Sequence, residues 1–426
     1  MRELTFRNRN LSSDVQAGAL RDWLDLLFAS WLFLAVLTPE DVYRTFFHAL
    51  IYSLSCYVLV RERSVLDWKD PFLRAFLVFC GYMAATTWLV GDGPVEGDFQ
   101  ALRWGFEAAL GMLAFWLWMS TVTAREALWG RVFLATALFG SLAGLLLSST
   151  DQFAGTRLAG VGAMGHPIQG ASIAIVLMAV GLFLTFQNGR KGSVPDTLLA
   201  LATIVIVCHF VILSKSRAPA IALLIYLILL TILCCFRYRA ILVGSLFFAV
   251  TAIILGVIHW FVGLSVLFDQ LLARGASYRV DIWWSVLAYP PESLLLGNGA
   301  GLDFKFTEAS RLYLEPKGLV IFHPHNIWLG AFSETGLIGV VMQAGLVILP
   351  MWSTLRGPLA VISKLHLLGI LGLFLMLTFT DEHTLLMSLH PIWILGWIPL
   401  LFVWTVSRRQ RGDASFGDFA SAGGER

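Results

Sequence analysis

Residues 169–187 read QGASIAIVLMAVGLFLTFQ, a run without a single Asp, Glu, Lys or Arg. A helix needs about 20 mostly apolar residues to cross a bilayer, and this run supplies them. The rest of the chain is written in the same manner. Apolar residues make up 58% of its 426 positions and charged residues 14%, with a mean hydropathy of +0.75. Soluble domains carry about 45–50% and about 25%. The 30 Lys and Arg against 28 Asp and Glu leave a formal charge of +2. This composition excludes a soluble enzyme, a disordered protein and a nucleic-acid binder, which would need a basic surplus. It describes an all-α polytopic membrane protein.

Outward from that run, the hydropathy pattern predicts twelve spans: 23–37, 45–60, 71–90, 101–121, 132–150, 169–187, 196–213, 218–236, 240–262, 327–354, 364–380 and 384–405. The first two are short, and Asp25 interrupts the first; losing either alone would invert all that follows. With the N-terminus in the cytoplasm, the inner segments hold 20 of the 30 Lys and Arg and the outer ones hold 10. Short cytoplasmic loops are expected to carry that excess, so both termini are placed inside. The first 21 residues are polar, with Arg2, Arg7, Arg9 and Arg21, and no cleavable signal peptide is expected. Cys56, Cys80, Cys208, Cys234 and Cys235 lie in or beside apolar runs, which indicates neither a disulfide framework nor a metal site.

One connection is long: residues 264–326, on the outer side, against other loops of roughly 3–20 residues. It is rich in aromatic residues. From Tyr278 the spacing of Val280, Trp283, Trp284 and Leu287 predicts an amphipathic helix that Tyr289-Pro290-Pro291 ends. The chain divides accordingly into nine spans with short loops over 1–262, a large outer loop over 263–326, three spans over 327–406, and a disordered cytoplasmic tail over 407–426. No internal repeat is visible.

Basic residues left on the outer side are the exception to the charge rule. Arg157, Lys215, Arg217 and Arg279 stand there, Arg217 within the tight turn Ser214-Lys215-Ser216-Arg217-Ala218-Pro219. Each alone could snorkel to a lipid phosphate; Arg157, Arg217 and Arg279 together favour a cationic pocket suited to bidentate phosphate recognition. Arg279 and Trp283 lie one helical turn apart, where stacking would hold the guanidinium. His323-Pro324-His325-Asn326 precedes span ten, and a histidine at that boundary can serve as a general base or simply as structure. A zinc site from His166, His323, His325 and His383 lacks HExxH-type spacing and a Cys partner, so no metal and no cofactor are expected. Gly297-Asn298-Gly299-Ala300-Gly301 lacks the Lys and Ser/Thr of a phosphate-binding loop and reads as a flexible turn. The outer loops hold no Asp-x-Asp pair to bind a divalent cation, which leaves arginines to neutralise a leaving group. Asp381-Glu382-His383 is the main outer group of acids near the membrane, and Glu334 lies two turns into span ten.

These motifs resemble those of bacterial O-antigen ligases. His325-Asn326, nine residues, then Gly336-Leu337-Ile338-Gly339 is similar to that family's His-Asn-x9-Gly-x-x-Gly element. Arg279 to Trp283 followed by Gly297-Asn298-Gly299 resembles its large periplasmic loop, and Ser214-Lys215-Ser216-Arg217 its Ser-Arg turn. Gly155-Thr156-Arg157-Leu158-Ala159-Gly160 with Gly165-His166-Pro167 resembles a further stretch, although Ile168 stands where the family has Asn. O-antigen and exopolysaccharide polymerases share much of this pattern. The resemblance implies an inverting, metal-independent glycosyltransferase in the bacterial inner membrane, its site facing the periplasm and membrane lipids around it. The donor would be a glycan on undecaprenyl diphosphate, and the acceptor a sugar hydroxyl on lipid A-core or, for a polymerase, another lipid-linked glycan. It implies His325 as base, Arg217 and Arg279 as catalytic stabilisers of the leaving diphosphate, and Arg157, Lys215, Trp283 and Asn326 as binding residues, Asn326 orienting the histidine. Gly336 and Gly339 would permit close helix packing. A transporter of lipid-linked glycan, the remoter alternative, would be expected to show mid-membrane charges, broken helices and a repeat.

Overall fold

A computed structural model describes residues 11–61, 66–90, 95–147, 157–186, 192–238, 278–382, 384–387 and 391–409. Span nine (240–262), the loop up to residue 277, His383 and the tail from residue 410 lie outside the described residues. The described residues form helices and connections, with no strand. The helices are α1 (Leu11–Leu37), α2 (Glu40–Arg61), α3 (Pro71–Val90), α4 (Val95–Ala124), α5 (Glu126–Leu147), α6 (Pro167–Phe186), α7 (Val194–Leu213), α8 (Arg217–Tyr238), α9 (Arg279–Ala288), α10 (Ile327–Arg356), α11 (Val361–Asp381) and α12 (Ile398–Arg409). Among them, eight are long and apolar enough to cross a membrane: α3 to α8, α10 and α11.

The apolar run that opens the reading becomes α6, buried without interruption from Gly170 to Thr185. A helix that is apolar all round belongs at the centre, and α5, α7, α8 and α11 pack around it. Leu198, Ile221, Leu224 and Ile228 of α7 and α8 remain exposed, as lipid-facing positions should.

α1 and α2 are helical where spans one and two were expected and pack against each other, but neither is among the eight helices long and apolar enough to cross, and α1 begins earlier than its apolar core. Asp25 now has a reason: it lies 2.6 Å from Arg125 and accepts the indole N–H of Trp129 at 2.8 Å, tying α1 to α5 and the turn before it. Phe28 stacks on Trp118 with centroids 4.5 Å apart, beside Trp31 and Phe115, and fastens α1 to α4.

Four expectations need correction. The twelfth span does not begin at residue 384. Residues 384–387 are non-helical, a π-helical turn covers Trp393–Trp397, and α12 follows. The indole of Trp397 donates to the Leu385 carbonyl at 2.9 Å, so the irregular backbone is satisfied inside the protein. Likewise α10 is not one regular helix: it breaks at Gly336 (φ 62°, ψ −164°), a conformation open essentially to glycine alone. Around the break Asn298 N–H donates to the Ser333 carbonyl (2.9 Å), Gly299 N–H to Glu334 (3.0 Å) and the Tyr82 hydroxyl to Thr335 (2.8 Å). In return Leu337 N–H donates to Leu294 at 2.9 Å. The glycine-rich segment at 297–301 is therefore a plug for the broken helix and not a free turn. A Cβ on Gly336 would fall on the backbone of Leu295 and Leu296, and one on Gly297 (φ 78°) on that of Glu334. Close approach is thus Gly336's role, but to a loop and not to a neighbouring helix.

Candidate active site

Asp381, the last residue of α11, is the point on which the site converges. Its carboxylate accepts a hydrogen bond from Arg279 Nη2 at 3.3 Å, lies 3.4 Å from His325 Nδ1, and has His166 Nδ1 at 3.9 Å. The four residues come from the end of α11, the start of α9, and the entries to α10 and α6. The acid is 7% exposed, whereas Arg279 is 24% and His325 31% exposed. A buried carboxylate is tolerated only with such partners, and here they line the open side of the cluster.

His325 is held in place from both sides. Trp283 donates its indole N–H to the Pro324 carbonyl at 3.1 Å and packs edge-on against Phe379. Asn326 caps α10: its side-chain oxygen accepts the N–H groups of Trp328 (2.9 Å) and Leu329 (3.1 Å). Asn326 thus fixes the helix that His325 precedes. The expected pairing of Arg279 with Trp283 resolves into two separate anchors, Asp381 for the guanidinium and Pro324 for the indole. Among the described residues only Lys215 (φ 51°), Tyr278 (φ 59°) and His325 (φ 51°) are non-glycine residues at positive φ. Each is a candidate residue or lies within two positions of one, and each costs about 1–3 kcal/mol of backbone strain.

A second group flanks the first. Arg157 donates to the Ser214 carbonyl at 3.2 Å and to the Ser216 hydroxyl at 2.7 Å, and Leu158 N–H reaches Leu213 at 3.2 Å. Arg157 therefore braces the turn that carries Lys215 and presents Arg217 at the first residue of α8. It also acts electrostatically on His166, which joins the two groups. Burial lowers the His166 pKa, and Arg157 and His325 push the same way against Asp381. His323, its ring centroid 4.0 Å from that of His325, is pushed down to about 4 by burial, then by its histidine neighbours. Glu382 is pushed up to about 8, chiefly by burial and then by Asp381, and accepts from Gln169 at 3.3 Å.

Of the residues nominated from sequence, the structure brings His325, Arg279 and Trp283 together and places Arg157, Lys215 and Arg217 beside them. Asp381 and His166 were not nominated as site residues. The only sequence signal for Asp381 was its place in an acidic group at the outer end of a span. Among the described residues no three His, Cys, Asp or Glu are grouped to hold a metal.

A family profile described as O-antigen ligase matches residues 202–344, which contain Arg217, Arg279, His325 and the broken helix. An O-antigen ligase of Pseudomonas aeruginosa is 26% identical over 382 residues, 88% of each chain. Over these residues the chain is similar to the O-antigen ligase family. Its apolar helices make it a multi-pass membrane protein, and the proteins it resembles are enzymes of the glycosyltransferase type. No solved structure matches it. The cluster has a plain chemical capability: a histidine beside a buried acid can take a proton, and arginines can hold a departing anion.

Proposed function

We propose that this protein moves a glycan from undecaprenyl diphosphate to a sugar hydroxyl of lipid A-core, with inversion at the anomeric carbon and without a metal. The observation that carries the reading is the convergence of His325 and Arg279 on the buried Asp381. Asp381 at Nδ1 leaves Nε2 of His325 for the incoming hydroxyl. The hydroxyl oxygen bonds to the anomeric carbon, the bond from that carbon to the phosphate oxygen breaks on the opposite face, and the proton passes to His325. Arg279 and Arg217 receive the charge that develops on the diphosphate, with Lys215 and the start of α8 adding positive potential. Asp381 is a positioning residue: it orients the imidazole and holds Arg279. Both substrates are amphiphiles, and the donor is already activated, so a membrane-embedded site without a nucleotide suits the reaction. The cluster is assigned to the periplasmic side, with residues 263–326 as its cap and both termini in the cytoplasm.

The test is reconstitution of the purified protein with undecaprenyl-diphosphate glycan and lipid A-core. Product in which whole glycan is joined to core, formed equally in EDTA, is expected. Lengthening of the lipid-linked glycan would assign a polymerase instead, and loss in EDTA restored by magnesium would refute the metal-free step. Reporters fused within 290–315 should read as periplasmic and those after Arg190 or Arg356 as cytoplasmic.

A further inference from the structure

A second concavity adjoins the cluster on the His323 side. Its walls include Trp104, Asp303, Phe304, Phe322, His323 and Glu334, and among its described lining residues there is no Lys or Arg. Asp303 and Glu334 lie close enough to act on each other electrostatically. The Glu334 carboxylate takes a hydrogen bond from Gly301 N–H, while its Oε2 is buried without a hydrogen-bond partner among the described residues. A buried, half-satisfied carboxylate is costly unless a ligand completes it. Lys305 reaches Asp303 at 3.2 Å and lies over the Phe322 ring at 4.8 Å, which holds both walls in place. The cavity measures about 40 Å³, space for about three waters, or for the hydroxyls along one edge of a sugar ring.

The charge pattern separates two occupants. Arg157, Lys215, Arg217 and Arg279 form a region suited to a diphosphate, whereas the cation nearest this pocket, Lys305, is already engaged by Asp303 and the pocket's walls are carboxyl groups and aromatic rings. Acids that accept from hydroxyls and rings that cover a C–H face suit a neutral saccharide. We propose that this pocket is the acceptor subsite, which takes the hydroxyl-bearing edge of one sugar of lipid A-core and presents the adjoining hydroxyl to His325. The inference rests on the transfer reaction above. The broken helix has a use in this arrangement: the segment that plugs it at Gly336 also supplies Gly301, which holds Glu334.

The experiment uses the full-length protein with undecaprenyl-diphosphate glycan and lipid A-core, each varied in turn, and delipidated core oligosaccharide as a binding probe read by saturation-transfer NMR. Glu334→Gln keeps an oxygen for Gly301 and replaces the other acceptor. It should raise the acceptor KM about tenfold and weaken probe binding to match, with the donor KM unchanged. Phe322, 58% exposed, can be truncated without endangering the fold, and Phe322→Ala should raise the acceptor KM severalfold. A rise in donor KM instead would make the pocket a donor-sugar site and overturn the proposal. Normal transfer by both variants, with both KM values unchanged, would also overturn it while leaving the reaction intact. Wild-type protein that binds the probe but transfers nothing would refute the reaction and leave the saccharide site standing.

Discussion

Replacing Asp381 by Asn keeps the volume and one oxygen but removes the charge that His325 and Arg279 share. The carboxylate is 7% exposed, so water cannot take over its task. It meets Arg279 at 3.3 Å and His325 at 3.4 Å, both long for charged contacts, and each is given the lower part of the usual range, about 1.5 kcal/mol. Losing both weakens the arrangement by about 3 kcal/mol, or roughly a hundredfold in rate. The assay is single-turnover transfer at saturating donor and acceptor, with donor affinity and thermal unfolding measured on the same preparation. Asp381→Asn should lose about a hundredfold in rate while unfolding within a few degrees of wild type. Asp381→Glu, which keeps the charge on a longer stem, should retain more activity than Asp381→Asn. If Asp381→Asn turns over within about threefold of wild type while His325→Ala is inactive, the acid does not position the histidine and the reasoning fails.

Other consequences are equally specific. Arg279→Lys keeps the charge but loses the fork that matches two oxygens, so transfer should fall nearly as far as in Arg279→Ala; near-normal transfer would reduce Arg279 to an interface anchor. Gly336→Ala places a Cβ on the backbone of Leu295 and should cost about 3 kcal/mol or more in stability, read as a lower unfolding temperature and weaker protection of residues 294–301 from hydrogen exchange. Glu382 has its pKa raised to about 8, so its neutral form favours the fold. That contribution is complete below about pH 4.5 and is lost as pH rises through 8, and Glu382→Gln should flatten the decline in unfolding temperature over that window.

Hydropathy read the bundle well because membrane helices must satisfy their own backbone, and the apolar run at 169–187 is the buried α6. The pattern was blind wherever a side chain or a neighbouring loop took over that duty. Tyr82 and Gly299 satisfy carbonyls freed by a φ that no hydropathy value records, and Trp397 satisfies the irregular entry to α12. The candidate site was legible to the extent that its residues were unusual locally, as outer arginines and a boundary histidine are. Asp381 escaped because its partners lie 56 and 102 positions away, and an acid at a helix end looks ordinary until those partners are seen. Asp25 looked anomalous for the opposite reason: Arg125, its partner, belongs to a segment a hundred residues on.

The central claim, that His325 takes the acceptor proton, is tested most directly by comparing His325→Ala with His323→Ala in reconstituted transfer. The two rings stand 4.0 Å apart and share one short segment, but only His325 lies at Asp381. The account predicts that His325→Ala loses about 10²–10⁴-fold in turnover with donor binding retained, while His323→Ala stays within about tenfold of wild type. An inactive His323→Ala beside an active His325→Ala would contradict it.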